Sequence, residues 1–486
     1  MSGYGDGGAS TTANVLKSWH PRWMSAGSDI DLNFDRLRNR AADLARNTAM
    51  GAAAITTSAR SVIGAGLKIY PRADHVALKI SEADARTWNR NAASEFALWS
   101  STVDCDFYRR NNFGDLQYIA YTLYLTDGDC FCIFRRRLPT ARNPYTLRLQ
   151  LLEANRISTP VGGDGVTIFN PVEGKAENGN RIVNGIEVTS DGETAAIHVS
   201  NRVPNDPIGR DEITTWARVT AFGESGFPNF LHIAHDIRAG QYRGVPYLAS
   251  VIEPLKQMAR YTTAELSSAI VKSFFSLFFV QPLENFDINE VLGKIPEAEL
   301  DVSEYKLGSG TISALPRGVD VKSIDSNQST AVFADFMTEL TRQCGAALGI
   351  PAEVLKKSFN ASYSASRAAL LQANEEFRQR REWFVRDFMR PIWDQFLTEA
   401  IGTGRLKAPG FFDDPLKRAA WSAADYYGPS MPSLDPIKEI QAAALRVESG
   451  VSTWRREAAE MSGSDYEQNM YQRMREQMLR RRAGVK

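Results

Sequence analysis

Apolar positions recur every three to four residues in three stretches before Gly128, and each stretch predicts a helix. The first, "DLNFDRLRNRAADLARNTAMGAAAITTSARSVIGAG", reads as one long helix loosened at Asn47 and Gly51 and ended near Gly64 and Gly66. Residues 81–100 read as a second, amphipathic helix, and "FGDLQYIAYTLYLTDGD" as a third closed by Asp127 and Gly128. From there to about residue 235 the apolar period falls to two, in "CFCIFRR", "YTLRLQLLE", "NGIEVTS", "TAAIHVS", "TWARVTAF" and "NFLHIAHD". Turn signals separate these runs at Gly162-Gly163, Asn178-Gly179 and Asp191-Gly192, so the region predicts a mainly antiparallel β unit.

The helical period then returns in "VPYLASVIEPLKQMARYTTAELSSAIVKSFFS", a helix of roughly thirty residues that would reach about 45 Å, with Pro254 expected to bend it. A compact insert from Gln281 to Ile324 follows, punctuated by Pro282, Pro296, Pro316, Gly308 and Gly310. A second long helix, "SNQSTAVFADFMTELTRQCGAALG", stops at Gly349 and Pro351. Two long helices around a small module would project that module from the main body. Next, "NASYSASRAALLQ" offers Ser362 or Ser364 as an N-cap and opens a helical pattern that runs to Ile401, kinked at Pro391. Phe377, Phe384, Phe388, Ile392 and Phe396 form its apolar stripe. An aromatic Pro/Gly connector leads to three C-terminal helical segments, the last of them basic in its final turns, as the helix dipole favours. The fold class is α+β, in several units.

Composition narrows the function more than it names it. The 486 residues carry 57 Lys plus Arg and 57 Asp plus Glu, so a protein that coats DNA through excess positive charge is excluded. Four Cys, with Cys130 and Cys132 alternating on a strand, give neither a disulfide framework nor a zinc site and fit a reducing compartment. The Gly/Ser/Thr-rich start, residues 1–30, reads as a flexible arm without a secretory signal. Ile270 to Val280 is too short for a bilayer and contains Lys272, so a soluble protein without membrane contact is expected.

Candidate chemistry is sparse. His232 and His235, three apart on a strand, do not share a face. There is no phosphate-binding Lys-Ser/Thr loop and no Gly-x-Ser-x-Gly elbow, and Gly162-Gly163-Asp164-Gly165 reads as a hairpin loop. Asp104 with Asp106, and Asp413 with Asp414, lack His or Lys neighbours and read as solvated loop acids. No enzyme, metal or cofactor is expected. The insert concentrates acids at Glu284, Asp287, Glu290, Glu297, Glu299, Asp301 and Glu304, either a solvated face or a docking surface for a basic partner. Arg378, Arg380, Arg381, Arg386 and Arg390 flank the long helix's stripe and have two readings: pairing with acids of a neighbouring subunit, or with Glu375, Glu376, Glu382 and Asp387 on the same helix.

The order of these parts resembles the lambda-like branch of bacteriophage portal proteins. The residues that carry the resemblance are "SW" with His20-Pro21, "RNRAADLARNTAMGAAAI", "EANRIS", "HIAHDIRAGQYRGVPYLASVIEPLKQMARYTTAELSSAIVKS", "LTRQCGAALGIPAEVLKKSFNASYSASRAALLQANEEF" and "ESGVSTWRREAAEMSGSDYEQNMYQRMRE". The resemblance implies a ring, usually of twelve copies, at one capsid vertex, through which double-stranded DNA enters and leaves. It implies a wing over residues 31–245, stem helices over 246–280 and 325–350, and a clip over 281–324 that meets the terminase large subunit and later the head-completion and tail adaptor proteins. It further implies a tunnel loop over 351–365, a long helix and connector over 366–433 and a crown over 434–486. Major capsid and scaffold proteins are implied partners, and the virion, with host cytoplasm during assembly, the location. On this reading Lys356, Lys357, Asn360, Ala361, Ser362, Tyr363, Ser364 and Arg367 face the DNA. Small side chains from Ala361 to Ser366 would keep the constriction open, and few cations would let DNA slide; the alternative for Ser362 and Ser364 is helix capping alone.

Overall fold

The computed structural model describes residues 8–161, 166–170, 172–204, 206–207, 213–274, 330–359, 362–430 and 435–484. The chain divides into two compact units, one made of Met1–Ile252 with Arg342–Lys486 and the other of Glu253–Thr341. The acidic insert and its seven candidate docking residues lie outside the described residues, as do Asn360, Ala361 and the Gly162 to Gly165 loop.

The expected first helix is two. Helix α1 (Phe34–Asn47) ends at Thr48, whose extended backbone turns the chain into α2 (Ala49–Val62). Thr48 accepts from the Gly51 amide at 3.2 Å while donating to the Leu44 carbonyl at 2.6 Å. A Cβ on Gly51 would sit 2.4 Å from that same carbonyl, so the fold-back requires glycine there. A short helix α3 (His75–Leu78), then α4 (Glu82–Ser100) and α5 (Phe113–Asp127), follow, α5 closed by Gly128 at φ 93.

Among the described residues all strand pairs are antiparallel, as the period-two runs predict. Strands β2 (Asp129–Arg136), β3 (Leu147–Glu153) and β10 (Phe230–Ala234) form one sheet in the order β10-β2-β3. A six-stranded meander takes β4 (Val166–Ile168) through β5 (Glu173–Ala176), β6 (Arg181–Val183), β7 (Ile186–Val188) and β8 (Thr194–Ser200) to β9 (Trp216–Thr220). Phe131, Leu152, Ile157, Ile186, Ile197 and Phe230 pack together between these sheets. Cys130 and Cys132 do not alternate as expected: two apart on β2, they share one face and are both fully buried there, and all four cysteines are free thiols. Burial pushes the Cys105 thiol up to about 12.

Helix α6 (Ile252–Phe274) begins late enough that Pro254 falls in its first turn, where no intrahelical bond is lost. The expected bend therefore has no cause. Within the second unit α6 meets α7 (Thr330–Leu348) through Tyr261, whose ring lies 5.2 Å from those of Phe333 and Phe336. After the short α8 (Ala352–Lys356), α9 (Tyr363–Phe384) passes through a π-turn at Val385–Met389 into α10 (Arg390–Gly402). Pro391 has no N–H to donate and its ring crowds the carbonyl four residues back; the widened turn relieves both demands. The α10 half of the stripe lies in the aromatic core, with Phe396 edge-on to Phe96 at 5.1 Å and Trp393 to Phe96 at 5.4 Å.

The connector is structured: Asp414 caps α11 (Pro415–Ser422), and β11 (Ala424–Tyr427) pairs with β1 (Lys68–Pro71). One expectation about the loop acids is corrected. Asp106 is not a solvated acid but is buried, accepting the amides of Tyr108, Arg110 and Asn111 at 3.0–3.1 Å and so tying a tight loop. Asp104 is largely covered and lies 3.5 Å from Arg109. The C-terminal helices α12 (Pro436–Glu448), α13 (Trp454–Ser462) and α14 (Tyr466–Arg482) bury only Ala443, Glu457 and Ala459. They are joined by Arg446–Glu457 at 2.9 Å and Arg455–Glu467 at 3.0 Å. Among the described residues no helix is long and apolar enough to cross a membrane.

Candidate functional site

The candidate loop starts where α7 stops. Gly349 adopts φ 68 and the Ile350 amide bonds back to the Gly345 carbonyl at 2.9 Å, closing the helix in a Schellman-type turn. Pro351 starts α8, and Lys357 ends it with φ 53, leaving Lys356 and Lys357 exposed. Ser362 then caps α9, accepting the Ala365 amide at 3.4 Å. Ser362, Ser364 and Ala365 are exposed, whereas Ser366 is buried against the body and Arg367 is half-buried. Ser366 therefore does not belong to an outward-facing small-residue surface.

A buttress holds the start of this loop. The Tyr247 hydroxyl donates to the Leu348 carbonyl, and the Arg380 guanidinium lies 4.5 Å over the Tyr247 ring and 2.7 Å from Glu376. Glu376 in turn lies against Gly349, where an added Cβ would meet its side chain at 3.0 Å. Burial works against the charge of Arg380, yet Tyr247, Tyr121, Tyr124 and Glu376 hold its pKa above the ordinary value. Burial likewise pushes the Tyr121 and Tyr247 hydroxyls up. Beside them His235 stacks on Trp383 at 3.7 Å, and both line a cavity of about 20 Å³ that fits about one water.

The flanking arginines divide by partner. Arg380 pairs with Glu376 and Arg386 with Asp387 at 2.6 Å, both on the same helix run. Arg381 donates to the carbonyls of Val62 at 3.0 Å, Ser61 at 2.8 Å and Pro429 at 3.0 Å. Arg378 and Arg390 are exposed and have no ion pair among the described residues.

A second constellation, invisible to motif reasoning, lies at the core. Asp129 at the start of β2 is fully buried, and Arg243 grips it through Nε at 2.6 Å and Nη2 at 3.1 Å. The remaining Arg243 donors reach the carbonyls of Ala154 at 2.9 Å, Ile157 at 3.0 Å and Asn184 at 2.6 Å. Phe34 and Phe131 lie beside the guanidinium at 4.4 and 5.5 Å. His232 Nε2 is 3.2 Å from Asp129, so the two candidate histidines serve separate places: His232 this acid and His235 the Trp383 stack. Burial alone would raise the Asp129 pKa, but Arg243 and the bond from His232 hold the carboxyl well below its usual range. The following backbones touch: a Cβ on Gly244 would fall 1.9 Å from the Gly128 carbonyl.

Asp127, two residues away, has the opposite environment. Burial pushes its pKa up to about 6, only partly offset by Thr126 and Arg38. A carboxyl with a raised folded pKa stabilises the fold when protonated and loses that contribution as pH rises through the folded value. Asp127→Asn is therefore expected to stabilise the protein by about 3 kcal/mol at pH 7.5 and to be neutral below about pH 4. Chemical denaturation at both pH values checks it; a pH-independent effect would remove the buried charge as the cause.

The family description "Phage portal protein, lambda family" matches residues 12–381. The chain belongs to this family. Portal protein B of Escherichia phage lambda is 25% identical over 500 residues, covering 99% of this chain and 90% of that protein. The portal protein of Escherichia phage N15 is 24% identical, covering 99% and 91%. Among solved structures, a chain from the virion of the native gene transfer agent particle has 12% identity and a TM-score of 0.41, over 90% of this chain and 91% of that one. A chain from the neck of that particle has 13% identity and a TM-score of 0.39, over 88% and 92%.

Two segments within the matched residues, "EANRIS" and "HIAHDIRAGQYRGVP", meet at the buried clamp: the first supplies the Ala154 and Ile157 carbonyls, the second Arg243 and His232. In this chain both hold the fold. The sequence signals that mark them are an Arg followed by Gly and the Asp-Gly-Asp run at 127–129, two chains of backbone that approach too closely for side chains.

Proposed function

We propose that this portal protein closes into a ring, of about twelve copies as is usual in the family, at one capsid vertex and acts as a passive channel for double-stranded DNA during packaging and ejection. Membership of the portal family is the observation that carries this reading. Its role is structural, not catalytic. Residues 31–245 form the wing, α6 and α7 the stem, 281–324 the clip, 351–365 the tunnel loop and 434–486 the crown. The acidic clip residues Glu284 to Glu304 dock the terminase large subunit and then the tail-connector proteins, while capsid and scaffold proteins surround the wing. The protein assembles in the host cytoplasm and ends in the virion.

Physical features support the parts. Exposed Ile437, Ile440 and Leu445 on a helix with almost no core of its own are surfaces that a neighbouring copy would cover. Exposed Ser362, Ser364 and Ala365 beside Lys356, Lys357 and Arg367 give a small-residue rim with few cations, past which DNA slides with little retention. Arg378 and Arg390 pair with acids of the adjacent copy. The reading is tested by assembling particles with and without the protein and measuring nuclease-protected DNA: protected DNA only with the protein is expected, and equal filling without it would overturn the conduit. Arg378→Glu with Arg390→Glu is expected to leave subunit stability within about 0.5 kcal/mol while reducing ring formation several-fold by native mass spectrometry. Unchanged rings would remove these two from the interface.

A further inference from the structure

The last described helix, α14, carries five Arg and two Glu, a net charge of +3. Every residue from Gln468 to Gly484 is exposed. Both acids are engaged elsewhere, Glu467 with Arg455 at 3.0 Å and Glu476 with the Gln472 amide at 2.9 Å. The arginines 473, 475, 480, 481 and 482 have no ion pair among the described residues. Dipole complementarity accounts for the three in the last turn but not for Arg473 and Arg475.

Their placement is regular. At about 100° per residue, Arg473 and Arg480 fall on one edge of the helix, and Arg475 and Arg482 on another about 160° away. Within each row the two cations are about 10.5 Å apart along the axis. One arc between the rows bears Met470, Met474, Met478 and Tyr471 with Arg481 among them, the other Gln468, Asn469, Gln472 and Glu476 with Leu479. A helix of about 10–12 Å diameter fits a major groove about 12 Å wide, and cations on two opposite edges then face the phosphates of both walls. An acidic protein face would meet one edge only. Guanidinium is also the cation best suited to phosphate oxygens.

We propose that α14 is a duplex-DNA contact that lies in the groove and grips both phosphate backbones through its two arginine rows, with no sequence preference. It is independent of the loop at residues 351–367 and does not rest on DNA passing there. The test is fluorescence anisotropy of the full-length protein with a labelled duplex of mixed sequence across a salt series. Replacing Arg473, Arg475, Arg480 and Arg482 by Gln, a good helix former, should weaken binding at low salt by about 10- to 100-fold and flatten the slope of log affinity against log salt by roughly 2–4, about 0.9 for each phosphate no longer neutralised. The four Arg→Lys changes should restore most of the binding. An unchanged slope in the Gln protein overturns the proposal. So does a Gln protein that loses association between copies while its DNA affinity per protomer is unaltered, since that result assigns the surface to a second copy.

Discussion

Arg243→Ala is expected to lower the stability of the first unit by about 3–5 kcal/mol, the range for removing one partner of a buried ion pair. The loss arises from what remains. Asp129 would be a fully buried carboxylate with only His232 and the Gly244 amide, at 3.2 Å each, to hold its charge. Three carbonyls, on Ala154, Ile157 and Asn184, would lose their donor at the junction of both sheets. Arg243→Lys keeps the charge but cannot span acid and carbonyls together, so it should fall between the two. Because the Asp129 pKa is depressed in the fold, its contribution is present above the ordinary carboxyl range and is lost as pH falls through the folded value. The mutant's deficit should therefore shrink in strong acid. Denaturant unfolding followed by tryptophan fluorescence checks both statements, and a loss below about 1 kcal/mol would show that the clamp is not the organising contact.

Arg381→Glu is the second large effect, expected at about 3–5 kcal/mol. Ser61 and Val62 are the last residues of α2, so Arg381 sits at the negative end of a helix dipole and satisfies carbonyls that have no intrahelical partner. It reaches Pro429 as well, passing Gly428, where any Cβ would fall 2.5 Å from its Nε. A carboxylate there would face three oxygens. By its place beside the apolar stripe Arg381 is a candidate for pairing between subunits; in the fold its donors are instead committed within the chain. Failure of this variant to form rings would thus follow from misfolding, visible as a lowered denaturation midpoint. A normally folded Arg381→Glu subunit that still fails to assemble would return the residue to the interface.

Periodicity makes many elements legible: α4, α5, strands β7 to β9 of the meander and the long helices fall where the apolar pattern puts them, whereas β4, β5 and β6 are too short to show a period. The errors share a cause, namely that backbone close approaches and buried polar partners have no period. Thr48 splits α1 from α2 through a cap and a glycine contact, not through a change in hydrophobicity. Strand β11 is hidden in an aromatic connector because its partner β1 lies some 350 residues earlier. Asp106 and Asp129 look like ordinary acids, since the loop amides that Asp106 accepts have no periodic signature and the guanidinium on Asp129 comes from far along the chain. The candidate rim is legible only as an arrangement of small residues, and the exposure of Ser362 and Ser364 separates them from buried Ser366 in a way that composition cannot.

The most direct measurement of the central claim is cryo-electron microscopy of the purified protein, scored for end-on views. The account predicts closed rings with a central channel wide enough for duplex DNA. A stable closed oligomer without a channel would contradict it.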